Sequence, residues 1–122
     1  LTLELSDISV ENLVPASCAK AASVEEFFTA LAKEDDSFEK RRAEAAKAGK
    51  VLRYVATLNN GKGSAKLEAV DATHPFFSLN ATDNKFAITS EYYSTTPLVI
   101  QGPGAGAKVT ASGVLADILR TA

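Results

Sequence analysis

The sequence predicts an α+β fold, and three observations carry that prediction. An early stretch has helical periodicity bounded by helix-start and helix-stop residues. The middle of the chain turns to β-favouring residues separated by glycine turns. The end reads as a short apolar strand, a glycine-rich loop and an amphipathic helix. The chain has 122 residues and a formal net charge of −2. That length fits one domain and is too short for a complete two-domain enzyme. The slightly acidic balance argues against a nucleic-acid partner, which needs a basic stripe. No apolar run approaches the roughly 20 residues that span a bilayer, so no membrane partner is expected. Cys18 is the single cysteine, which excludes an intramolecular disulfide and a thiolate zinc cluster and suits a reducing compartment. No signal peptide is visible. The chain opens on Leu1 and contains no methionine, which reads as a processed chain or a fragment.

Residues 1–14 read as extended, with Leu3, Leu5, Ile8, Val10, Leu13 and Val14 partly alternating before Pro15. Residues 17–22 read as a connection. Ser23 and Glu26 stand at the spacing of a capping box, and Val24, Phe27, Phe28 and Leu31 share one helical face behind them. Glu34, Asp35 and Asp36 interrupt that face and can cap a second helix over about 37–48, which is rich in Ala, Glu, Lys and Arg. Gly49 follows Lys47 where a C-terminal cap belongs. The charges over 39–42 read as a solvated helix face.

Strands are expected over 51–58 and 64–70, joined by the turn cluster around Asn60 and Gly61 as a hairpin with one wet face. Residues 71–77 read as irregular, held by Pro75, and residues 80–84 as a turn. A third strand covers 85–90, with Phe86 and Ile88 on one side. After Pro97, the wholly apolar Leu98, Val99 and Ile100 read as a strand buried on both faces. The closing helix, over about 108–120, carries the stripe Val109, Val114, Leu115, Ile118 and Leu119, with Arg120 in its last turn. That stripe needs cover, expected from its own sheet or from another copy of the chain.

The strand–loop–helix unit is the best candidate for chemistry. Glycines let backbone approach a ligand closely, and a helix start offers free amides to a phosphate or carboxylate. Gly102, Gly104 and Gly106 have G-x-G-x-G spacing rather than the G-x-G-x-x-G of a dinucleotide fingerprint, so the unit is not a self-sufficient dinucleotide site. Ligand contact and a tight packing turn are both open readings of the loop. His74 reads as a local hydrogen-bonding residue, Asp35 and Asp36 as helix caps, and Tyr92 and Tyr93 as strand packing. No nucleophile–base pair and no set of metal ligands is evident.

The segment PLVIQGPGAGAKVTASGVLAD over residues 97–117 closely resembles the C-terminal end of homoserine dehydrogenases. GKVLRY from Gly49 to Tyr54, HPF at His74, Pro75 and Phe76, and the order of elements fit the same family. The resemblance implies oxidation of homoserine to aspartate 4-semialdehyde, or the reverse, with NAD or NADP, on the branch to threonine and methionine. It implies a Rossmann nucleotide domain paired with an α+β substrate and dimerisation domain. The part present here is then a mixed sheet with helices on one face, ending in the glycine loop and a helix.

By that resemblance, residues 1–101 belong to the substrate and dimerisation domain. Residues 102–122 are the loop and helix that return to the nucleotide domain. Gly106 matches a backbone contact to the cofactor near its nicotinamide end, with Gly104, Ala105 and Thr110 beside it. The family's D-L-x-G-x-D-x-x-x-K catalytic motif, its G-x-G-x-x-G and its monovalent-cation ligands are not in this sequence, so no catalytic or metal-binding residue is assigned. A homodimer or higher oligomer, in the cytoplasm or plastid stroma, is implied, from a parent that is monofunctional or fused to aspartokinase. The competing reading is a non-catalytic α+β binding or oligomerisation module.

Overall fold

The computed structural model describes residues 3–80 and 82–121. Residues 1, 2, 81 and 122, which fall in the expected opening strand, the turn over 80–84 and the closing segment, lie outside the described residues. The chain forms two compact units, one closing at Phe77 and the other opening at Ser78.

In the first unit the expected extended opening is only partly realised. Leu5–Asp7 makes a turn of 3₁₀ helix, because Glu4 N–H donates to the Asp7 carboxylate at 3.0 Å while Asp7 N–H returns to Glu4 O. Strand β1, Ser9–Val10, follows. Helix α1 is Val24–Leu31, with Ser23 Oγ accepting Glu26 N–H at 3.1 Å. The Glu26 carboxylate takes Ala22 N–H at 2.8 Å, so the reciprocal half of the expected box falls one residue upstream. The acidic run does not open a gap: a 3₁₀ turn over Ala32–Glu34 leads straight into helix α2, Asp35–Lys47. Gly49, at φ +67°, ends α2 by donating to Ala46 O while Lys50 N–H reaches Ala45 O, the two bonds of a Schellman cap.

Strands β2, Val51–Asn59, and β3, Lys62–Val70, form the hairpin. Asn60 and Gly61 sit at φ +49° and +76°, the geometry of a two-residue turn whose twist matches the strands. The sheet order is β1-β3-β2, with β1 parallel and β2 antiparallel to the central β3, and α2 lies against β2. This is the mixed sheet with helices of the α+β class. The core is small: Cys18, Ala45, Val55 and Val70 are the buried apolar residues among those described. Phe27 packs edge-on to Phe28, and Phe28 and Val24 stay exposed, so the expected helical face is covered only in part.

The second unit holds strands β4, Asp83–Ile88, and β5, Leu98–Pro103, paired antiparallel, and helix α3, Ala107–Thr121. The expectation that Leu98, Val99 and Ile100 are buried on both faces is corrected: they are 39%, 43% and 53% exposed. Their strand belongs to a two-stranded ribbon, which has no central position to bury. The apolar stripe of α3 is likewise exposed. It is not covered by the ribbon that precedes it.

Candidate functional site

The predicted residues Gly104, Ala105, Gly106 and Thr110 lie on one continuous stretch from the end of β5 into the first turn of α3. The ribbon fixes where that stretch begins. Asn84 is in register with Gly102 and Asp83 with Pro103, and Gly104 N–H donates to Thr82 O at 2.9 Å, carrying the pairing past the proline. Gln101 Nε2 donates to Asp83 Oδ2 at 2.7 Å across the strands, and Lys85 Nζ to Ser78 Oγ at 3.2 Å.

The glycines are required for different reasons. A Cβ at Gly104 would fall on the carboxamide of Asn84, meeting its Nδ2, Cγ and Oδ1, so with any other residue here the exposed Asn84 side chain has to turn aside. Gly106 is at φ +119°, which L side chains rarely adopt, and the space where its side chain would stand is open. Its carbonyl accepts the first bond of α3, from Thr110 N–H at 3.0 Å. The amides of Ala107, Lys108 and Val109 precede that bond and have no place in the helical ladder. The Thr110 amide is spent, and Thr110 is exposed.

No acidic residue occupies the first turn of α3, whereas Lys108 does. A cation there opposes the helix dipole, and an anionic group at the same end would satisfy the free amides and the ammonium together. This end of the unit therefore combines open backbone donors, a positive charge and a strain-free glycine bend.

Tyr92 and Tyr93, expected to pack on a strand, instead lie exposed in the turn between β4 and β5. In the first unit, His74 and its neighbours have structural roles. His74 Nδ1 accepts Phe76 N–H at 3.1 Å, and its ring meets Phe76 edge-on at 5.0 Å, the local role expected of it. The Thr73 hydroxyl and amide hold the Asp71 carboxyl below its usual range, helped by Lys50 and His74. Arg53 donates from Nε to Phe76 O and from Nη2 to Phe77 O, at 2.9 and 2.8 Å, tying the HPF turn to β2. A cleft of about 510 Å³ beside α2 is lined by Leu13, Phe38, Leu52 and Leu67 with Asp35, Glu39 and Arg42. The Arg42 and Glu39 side chains there pair with each other through two bonds of 2.7 Å. Sequence reasoning missed Asn84, because its place beside Gly104 depends on strand register. The only signal was the G-x-G alternation on the facing strand.

A mixed sheet with helices, followed by a strand–glycine loop–helix unit, places the chain in the α+β class. Comparison with known proteins sharpens this. The family model for homoserine dehydrogenase matches residues 1–119. A chloroplastic bifunctional aspartokinase/homoserine dehydrogenase 2 from Zea mays is 46% identical over 124 residues, covering 100% of this chain and 14% of the relative. The homoserine dehydrogenase of Schizosaccharomyces pombe is 44% identical over 117 residues, covering 94% of this chain and 31% of its own length. A crystal structure of a Candida auris protein of unknown function superposes with a TM-score of 0.79 at 42% identity, covering 94% of this chain and 32% of that one. The chain belongs to the homoserine dehydrogenase family. It spans 14% to 31% of the length of these two curated relatives.

Proposed function

We propose that this chain is the C-terminal part of an NAD- or NADP-dependent homoserine dehydrogenase, which interconverts homoserine and aspartate 4-semialdehyde for threonine and methionine biosynthesis. Residues 1–101 are the later part of the substrate and dimerisation domain. Residues 102–122 return to the nucleotide-binding domain. The parent is a homodimer or higher oligomer of the cytoplasm or plastid stroma.

The observation that carries this reading is the open start of α3 in a chain that the family model matches over residues 1–119. The residues fit a nicotinamide cofactor. Space is clear at Gly106, backbone donors precede Thr110, and Lys108 supplies positive charge. When bound, the cofactor supplies the hydride acceptor or donor. Ala105 and Gly106 present backbone to it, Thr110 offers a hydroxyl, and Gly104 sets the path of the loop. The lysine and carboxylates of the reaction belong to the motif that this sequence lacks. Hydride transfer needs both partners held in near-attack geometry, which half a site does not provide.

The full-length parent, assayed with homoserine and NAD or NADP, is expected to form the reduced nicotinamide, and the isolated 122-residue chain to show no turnover above background. A parent inactive with both cofactors would refute the reading. An active isolated chain would refute the assignment of catalysis to the missing motif.

A further inference from the structure

We propose that the carboxamide of Asn84 is a ligand-contacting group of the same site, pairing with the carboxamide on the nicotinamide ring. The proposal rests on the reading of the glycine loop as cofactor-facing and on the register of the β4–β5 ribbon.

In an antiparallel pair, a residue shares its face with its register partner and with the residues two positions either side of that partner. Asn84 is in register with Gly102, and Gly104 is the next position on that face. Both are glycine, so toward α3 the facing strand presents no side chain beside the Asn84 carboxamide, while on the other side Ile100 shares the face. The alternation that departs from the dinucleotide fingerprint thus clears the side of this amide that leads to α3. The carboxamide lies where a Cβ at Gly104 would be, beside the backbone that runs on to Gly106 and the start of α3.

The flanking polar side chains are occupied: Asp83 accepts from Gln101, and Lys85 donates to Ser78. Asn84 is exposed, and its carboxamide has no hydrogen-bond partner among the described residues. A primary carboxamide offers one donor edge and one acceptor edge in a plane. Its natural complement is a second primary carboxamide, which the nicotinamide ring carries and a phosphate does not.

Calorimetric titration of the full-length parent with NADPH tests this. Asn84→Ala is expected to weaken binding about tenfold, the loss of one well-made hydrogen bond. Asn84→Asp keeps the shape over Gly104 but loses the donor, and is expected to weaken binding at least as much with thermal unfolding unchanged. The effect should shrink for the 3-acetylpyridine analogue, which has no amide nitrogen. If Asn84 only fills space beside Gly104, Asn84→Asp will bind NADPH as wild type does, and that result overturns the proposal. So does a loss confined to the KM for homoserine. A wild-type parent that binds no NADPH and turns over no homoserine overturns the cofactor reading itself, and this assignment with it.

Discussion

Glu11 shows how much one residue can hold when a strand is only two residues long. Its amide donates to Ala65 O at 2.8 Å, and its carbonyl accepts the Tyr54 hydroxyl at 2.9 Å. Its carboxylate accepts Leu67 N–H and Arg41 Nη2, both at 3.0 Å. The side chain thus stands in for a backbone carbonyl on the edge of β3 that β1 is too short to cover, and it ties α2 to the sheet. The Leu67 amide first, then Arg41, hold the Glu11 carboxyl below its ordinary range. A carboxyl lowered on folding adds stability that is present above its unfolded pKa and lost as pH falls through the folded value. Glu11→Gln is therefore expected to flatten the acid limb of the stability profile and to speed hydrogen exchange at the Leu67 amide. An unchanged acid limb would contradict this. Neither Glu11 nor Arg53 was legible as a structural tie in the sequence. Each acts on residues far along the chain, Leu67 and Phe76, that only the fold brings near.

Whole elements were more legible where local chemistry sets them. Ser23, Gly49 and the Asn60-Gly61 turn each marked a boundary correctly, because caps and two-residue turns depend on a few neighbouring dihedrals. The burial of β5 was misread, because an apolar run records what a strand can bury and not what covers it. The link between β5 and α3 turns on Gly106. At φ +119°, replacing it by alanine is expected to cost about 1–3 kcal/mol in the second unit and to fray the first turn of α3. Urea unfolding with exchange at Thr110 reads both, and a variant with wild-type stability and Thr110 protection would show that the bend does not constrain the helix.

At the scale of the molecule, the sequence showed a strand–loop–helix unit and the family's fingerprint around it, and the family assignment rests on both. The division after Phe77 was not legible, because the residues on either side carry no linker signature. Composition could not show the exposed stripe of α3 and the apolar faces of β4 and β5, since exposure depends on what lies opposite. The central claim is that the glycine loop and the start of α3 face the cofactor. Hydrogen exchange of the full-length parent, with and without saturating NADPH, tests it most directly. Peptides covering residues 102–110 should gain protection on cofactor binding, while those covering the β2–β3 hairpin should not. Unchanged exchange over 102–110 in a parent shown to bind NADPH would contradict the account.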